Sequence, residues 1–598
     1  MQDDKPKGWQ RLKKTSLNKK DLSRRMRRVE GVTVRHARKF VVKRWSSARE
    51  VRHRIITWVV ATGLLIGAVG LQLMWYQRSY QSNTVASNGT YVEAVLGPVD
   101  TLNPLFASNS AEDSVSHLLF SRLLSYDTSG HLNNDLATHL VVNKTGTIYT
   151  IQIRSDAYWH DGVKLTAKDV AFTVGLLKNS SVGSTSPDDW KGITVDIVNN
   201  TTLKFTLPVI IAAFPHALTF PILPEHLLSK VEPNAIRENS FSHSPIGSGP
   251  FKFRFEQDID ASVGRKIIHL ARNTDYYGGV SKLDLFQLHV YGTQDSIVRA
   301  LESDEVNAAS GLSASNLGQI DKSRYEIESK PVMGGVYALL NTTGGILKDK
   351  AVRMALQRGT NTNAIRSDLP DGTPPLSLPF INGQISGDVP RVANYDKKAA
   401  EKLLDEAGWV REGTVRKKAG VDLKLTVVTT KDSDYERVLE TLAGQWRDLG
   451  VTVSTKVVDP SDPSQRVVQE ILQPRNYDVL LYQLNIGADP DVYAYWHSSQ
   501  ASSRGANFSN YSNPISDDAL ISARSRLEPS LRNAKYLTFA KQWVADVPAI
   551  GLYQSTTNYV HSKKATGPGD SSVFVSPIDR YSDVLYWTVG SRSVYKTP

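Results

Sequence analysis

The 598-residue sequence contains no cysteine. Disulfides, thiolate nucleophiles, thiolate-bound metals and a lipid-modified amino-terminal cysteine are therefore excluded. Histidines are scattered: His117, His131, His139, His160 and His497 fall in separate segments, with no HExxH or HxH spacing to hold a zinc ion. There is no G-x-S-x-G elbow for a serine hydrolase. The glycine-rich stretch at 244–251 lacks the Gly-Lys-Ser/Thr that a phosphate cradle requires, and reads as a tight turn feeding a strand. Asp489 and Asp491 flank a proline and read as turn formers rather than calcium ligands. Nothing here demands an enzyme, and no catalytic residue, metal or cofactor is assigned. Long apolar runs are equally scarce, and the one that exists organises the chain.

That run is 55–76, IITWVVATGLLIGAVGLQLMWY, with no charged residue. About 20 apolar helical residues cross the hydrocarbon of a bilayer, and Trp58, Trp75 and Tyr76 lie near its ends, where aromatics favour the headgroup level. The run predicts a transmembrane helix. Residues 1–54 carry 19 Lys and Arg against 5 Asp and Glu, leaving 52 and 55 for the rest of the chain. The basic character thus belongs to the tail, at net +14, while the remainder is at −3. Basic flanks stay cytoplasmic, so the reading is a single-pass cell-membrane protein with a cytoplasmic amino terminus and a large extracellular or periplasmic domain. The lead is too long and the apolar core too wide for a cleaved secretory signal. An uncleaved signal-anchor is expected, with cleavage near 84–87 the weaker alternative. The basic clusters at 24–28, 35–39 and 43–45 read as a solvated topology signal, a grip on anionic lipid or RNA being the alternative. No helix-turn-helix or zinc pattern occurs there, and no nucleic-acid partner is expected. Residues 77–87 are polar and read as a linker.

The outer region is too long for one ordinary core, so two or three domains are expected. Strands are predicted at 91–96, 147–154, 203–207, 266–270 and 285–291. Helices are predicted at 117–124, 294–303 and from a capping box at 166–169 to about Leu177. In the second half, Asp396 caps an amphipathic helix ending at Gly408. Strand 423–429, helix 435–449, strand 451–457, a helix near 465–472 and strand 477–484 then alternate. Such alternation predicts parallel neighbours, and ligands of open α/β sheets bind beyond the carboxyl ends of the strands. The loop YQLNIGADPD at 482–491 is a candidate binding loop on that argument alone.

Several stretches together resemble the extracytoplasmic solute-binding proteins of ABC importers, in the oligopeptide/dipeptide/nickel-binding class (family 5). These are TLNP at 101–104, YTIQIRSDAYWHDGVKLTAKDV at 149–170, the glycine loop at 244–251, 272–279, Asn341 with Thr342, YDKKAAEKLLDEAGW at 395–409, and DVP at 546–548 before Leu552 and Tyr553. They follow the family's order over about 91–559.

The resemblance implies an α/β, two-lobed, type II periplasmic-binding-protein-like fold with an inserted third domain, here behind one transmembrane helix. Lobe I would comprise 88–132, 236–340 and 561–598, the insertion 133–235, and lobe II 341–560. It implies ligand contacts from Ser108, Asn109 and Ser110, and from Tyr482, Gln483, Leu484, Asn485 and Asp489, with Trp496 packing against ligand side chains. Closure would occur about strands crossing near 336–340 and 550–553. The implied function is capture of an oligopeptide-like solute and delivery to ABC permease subunits. A membrane-tethered ligand sensor or scaffold, or a metal-chelate binder, is the alternative. One departure stands out. Peptide-binding members carry an aspartate for the peptide ammonium where this chain has Ile486, so either Asp489 takes over or the ligand lacks a free amino terminus in that subsite.

Overall fold

The structure, a computed structural model, describes residues 52–85, 88–184, 190–370, 372–460, 462, 464–569 and 573–595. Two units are distinguished, one built on the amino-terminal helix and one spanning Val85–Ser591.

In the first unit, helix α1 runs Arg52–Tyr80. Its stretch Arg52–Trp75 has a mean hydropathy of 1.9 and none of it is buried in the protein, so it is long and apolar enough to cross a membrane. The helix continues past Tyr76, and Gln81–Val85 forms a strand paired with Ser591–Tyr595. The expected linker at 77–87 is thus mostly ordered backbone; a polar sequence excludes burial, not helix or edge-strand geometry. The basic clusters at 24–28, 35–39 and 43–45 lie outside the described residues.

The second unit is organised by a ten-stranded sheet. Its strands in chain order are β1 Thr90–Leu96, β2 Phe251–Asp260, β3 Arg265–Arg272, β4 Leu285–Tyr291, β5 Ala308–Ser310, β6 Tyr325–Leu340, β7 Lys424–Thr430, β8 Thr452–Val458, β9 Val479–Asn485 and β10 Ala549–Ser562. Across the sheet they run β8-β7-β9-β6-β10-β5-β1-β4-β3-β2. Each half repeats one device. In the first, β1 lies between β4 and β5 and is parallel to both; in the second, β7 lies between β8 and β9 and is parallel to both. The long antiparallel strands β6 and β10 join the halves. Their register breaks between Pro331 and Gly335, with Tyr325–Pro331 opposite 556–562 on one side of the break and Gly335–Leu339 opposite 549–554 on the other. A second register shift falls between Val336 and Tyr337, opposite Gly551 and Tyr553, within the crossing expected at 336–340 and 550–553, where Val336, Ala338, Leu340 and Leu552 are fully buried.

Residues 133–235 contribute a four-stranded antiparallel sheet of Ala137–Val142, Ile148–Ile153, Thr202–Thr206 and Thr194–Asn199, in that order. The alternation in 148–153 puts Tyr149, Ile151 and Ile153 inward. Thr166 and Asp169 form the expected capping box for helix Ala167–Lys178. This segment shares one hydrophobic interior with the first half of the long sheet: Tyr149, Trp159, Phe205 and Phe214 belong to the same buried cluster as Tyr91, Leu118, Phe286 and Trp587.

His160 fastens it to the glycine loop. Its Nδ1 accepts the Gly247 N–H at 3.1 Å, so its Nε2 carries the proton and donates to the Gly249 carbonyl at 3.1 Å. Burial pushes this imidazole down to about 4. Glycine is required in that loop because a Cβ at Gly247 would lie 1.9 Å from the Leu119 carbonyl oxygen, and one at Gly249 would lie 2.7 Å from the Leu119 carbonyl carbon. The second half buries one core on each sheet face, the first around Leu442, Trp446 and Leu425, the second around Trp496, Phe539 and Trp543.

Candidate ligand-binding cleft

At the carboxyl ends of β4 and β7 the chain turns directly into helices, and after β1 it reaches one through a longer loop. Beyond β1, Asn109 caps helix α2, Ser110–Leu119, accepting the Ala111 and Glu112 N–H groups. Beyond β4, Thr293 caps helix α3, Gln294–Glu302. Beyond β7, Asp432 caps helix α4, Ser433–Asp448, accepting the Asp434 and Tyr435 N–H groups. These turns and the joining strands enclose a cavity of about 350 Å3. The first half supplies Ser110, Gln294, Gly311, Leu312 and Ser313, and the second supplies Leu369, Asp432, Asp434, Tyr435 and Gln483. Val336, Tyr553 and Ser555 of β6 and β10 form its wall between the halves.

A wider opening of about 810 Å3, bounded by Lys322, Tyr325, Glu326 and Lys563, shares Leu369 and Pro370 with it. A larger cavity of about 680 Å3, bounded by Arg358, Asn361, Arg391 and Trp543, is confined to the second half and lies away from the strand ends that face the first. The 350 Å3 cavity is the better site on geometry: it sits where two parallel-sheet switch points face each other.

Of the residues expected from sequence, Ser110 and Gln483 border this cavity. Ser108 and Asn109 are spent on local structure. The Ser108 N–H and hydroxyl both donate to Glu112 Oε2, at 2.7 and 3.0 Å, while Glu112 Oε1 accepts the Asp100 and Thr101 N–H groups. Strand periodicity decides the rest. Gln483 faces the cavity, with its Oε1 accepting the Tyr435 hydroxyl at 3.2 Å and its Nε2 donating to Asn485 Oδ1 at 3.0 Å. Tyr482 and Leu484 face the opposite side, Tyr482 edge-on to Phe508 and Leu484 within the core. Trp496 is likewise core, edge-on between Tyr337 and Trp543 at 6.2 and 5.5 Å. Leu484 and Trp496 are buried in that core, while Tyr482, partly buried, lies on the face away from this cavity.

Asp489 is occupied in a different way. Arg532 grips it with two bonds, Nη1 to Oδ2 at 2.9 Å and Nη2 to Oδ1 at 2.5 Å. Burial opposes the Arg532 charge, but those bonds prevail and hold the guanidinium above its ordinary value. Arg524 similarly pairs with Asp491 at 2.9 Å. The loop also meets the inserted segment, with His216 Nε2 3.9 Å from Asp489 and the Ala212 N–H donating to the Arg524 carbonyl at 2.9 Å. With its charge already balanced by the bidentate Arg532 pair, Asp489 offers an arriving ammonium no unpaired negative charge.

Sequence reasoning missed Asp432, Asp434, Tyr553, Ser555 and Arg580. The strand-end argument applied to 477–484 also applies to 423–429 and would have found Asp432 and Asp434; Tyr553, Ser555 and Arg580 carry no local signal. Arg580 is fully engaged, its Nε and Nη2 donating to Glu93 Oε1 at 3.1 and 2.8 Å and its Nη1 to the Pro577 carbonyl at 2.9 Å.

Comparison with known proteins bears on this geometry. Residues 131–506 match the family described as bacterial extracellular solute-binding proteins, family 5 Middle. The oligopeptide-binding protein AppA of Bacillus subtilis is 26% identical over 485 residues, covering 78% of this chain and 86% of that protein. Protein XP55 of Streptomyces lividans is 28% identical over 474 residues, covering 76% and 81%. Among solved structures, AppA of Bacillus subtilis in complex with a nonapeptide shares the fold with a TM-score of 0.71 at 22% identity, over 85% of this chain and all of that one. NikZ of Campylobacter jejuni in complex with Ni(L-His) has a TM-score of 0.71 at 26% identity, over 83% and 99%. The chain belongs to the bacterial extracellular solute-binding proteins, family 5, the substrate-binding components of ABC importers.

Proposed function

We propose that this protein captures peptide-like solutes outside the cell in the cleft bounded by Ser110, Gln294, Asp434 and Gln483, and hands them to an ABC permease while tethered to the membrane by α1. The observation that carries this reading is the cavity itself, walled by strand-end loops from both halves and opening past Leu369 and Pro370 into a second recess. That shape suits an extended chain. Backbone groups of such a ligand would meet capped helix starts and the amide of Gln483, giving tolerance of side-chain identity.

The two halves act as lobes, lobe I being 88–132, 236–340 and 561–591, with the insertion at 133–235, and lobe II being 341–560. The stretch from Pro331 to Tyr337, which holds both register shifts of the joining strands, is the natural hinge, since it is where they already depart from a regular ladder. AppA of Bacillus subtilis, solved with a nonapeptide, supports peptide as the ligand class. The tether places the basic tail in the cytoplasm.

Calorimetry of the detergent-solubilised full chain against di- to decapeptides tests the ligand class. Saturable binding at micromolar or lower concentration is expected, and no heat with any length overturns it. Protease treatment of intact cells tests the topology: the large domain should be digested and residues 1–54 protected.

A further inference from the structure

The commitment of Asp489 to Arg532 leaves the cleft's charge elsewhere. The ionisable side chains bordering the cavity are Asp432, Asp434, Tyr435, Tyr553 and Arg580, and Arg580 is neutralised by Glu93. The cavity is therefore net negative on the α4 side. Asp432 spends Oδ1 on the helix cap, and its position at a helix start is explained by the macrodipole.

Asp434, in the first turn of α4, gains from the same macrodipole, but the dipole supplies no donor to its oxygens. Its Oδ2 accepts the Ala314 N–H from the opposite half at 3.5 Å, while its Oδ1 is buried with no hydrogen-bond donor. The nearest cation to Oδ1, Arg437, stands 4.0 Å away and donates from Nη1 to the Asp368 carbonyl instead. A second unmet group lies in the same cavity. Ser555 on β10 is only 5% exposed, and its hydroxyl is also buried without a partner. A buried polar atom left unpaired costs about 1–3 kcal/mol, so two in one cleft mark a place that a ligand completes.

We infer that Asp434, seconded by Asp432 and by the Ser555 hydroxyl, receives a primary ammonium group of the ligand. This rests on the peptide reading above and names the subsite for the peptide's amino terminus. An ammonium offers three N–H donors, matched here by carboxylate and hydroxyl oxygens, with the Tyr435 and Tyr553 side chains also on the wall. Burial and then the Asp432 charge hold the Asp434 carboxyl above its usual range, a repulsion that an arriving cation relieves.

The test is calorimetry of the full chain with one nonapeptide, free or acetylated at its amino terminus, and with spermidine as a non-peptide amine. The free peptide should bind at least about tenfold more tightly than the acetylated one, and Asp434→Asn should abolish that ratio. Asn keeps the acceptor for Ala314, so folding is preserved, and a thermal melt verifies it. Ser555→Ala should lower free-peptide affinity about threefold. Peptide binding that ignores both acetylation and Asp434→Asn overturns the inference and leaves the peptide reading standing. Spermidine bound by the native chain and lost in Asp434→Asn, with neither peptide bound, upholds the inference and overturns the peptide reading. Binding of none of the three overturns both.

Discussion

The chain leaves the carboxyl ends of the adjacent parallel strands β7 and β9 through two turns, each bringing two aspartates, though Asp434 already lies in the first turn of α4. In the second, Asp489 and Asp491 are answered by Arg532 and Arg524 from the helices packed behind them, and the loop becomes a structural clasp against the inserted segment. In the first, Asp432 caps its helix and Asp434 is left with a buried oxygen and a distant arginine. The difference teaches how to tell a binding carboxylate from a structural one: not by the residue or its loop, but by whether the protein has already supplied the counter-charge. A clasp should be costly to break and indifferent to ligand. A receiving group should be the reverse.

The sharpest way to break the comparison is Asp489→Ala. It leaves a half-buried Arg532 without a counter-charge, only the Tyr536 hydroxyl remaining bonded to it, and should cost about 3–5 kcal/mol of stability, read from urea denaturation. A loss under about 1 kcal/mol would mean that the loop is not a clasp.

Acidification acts elsewhere on the same principle. His160 is neutral in the fold at about 4 and titrates near 6.5 when unfolded. Its contribution is therefore intact above pH 6.5 and is lost as pH falls toward 4, because a protonated Nδ1 cannot accept the Gly247 N–H. Between those limits the native chain should lose up to about 3 kcal/mol that His160→Gln does not lose, read by melts across pH.

Gln483→Ala should weaken peptide binding about tenfold, or roughly 1.4 kcal/mol, with little change in melting temperature, since its amide lies on the cavity wall rather than in the core.

Smallest is Asp434→Asn in the ligand-free chain, expected to be neutral or stabilising by no more than about 1 kcal/mol. Its folded carboxyl is raised, so its contribution is present at low pH and lost as pH rises through the folded value. Loss of several kcal/mol there would make Asp434 structural and erase the contrast between the loops.

Much of this architecture was legible in one dimension. The apolar run at 55–76, the capping box at Thr166 and Asp169, the alternation at 148–153 and the strand–helix rhythm after 423 are local patterns. Each is fixed by burial periodicity or by an unpaired helix N–H, which act over a few residues. Helix α2 was placed late because its real start depends on Asn109 and on Glu112, whose partners Asp100 and Thr101 lie across a loop. The site was only half legible. Ser110 and Gln483 border the cavity, but Tyr482, Leu484 and Trp496 looked equally suitable until the sheet showed that they face away from it.

The sequence by itself determined what each segment could become: a membrane-length helix, capped helices and parallel strands, because these follow from composition and short-range spacing. Only the tertiary structure decided which carboxylates are free. Counter-charges such as Arg532 arrive from more than forty residues away, and whether a charge is paired is a property of the folded neighbourhood, not of the chain.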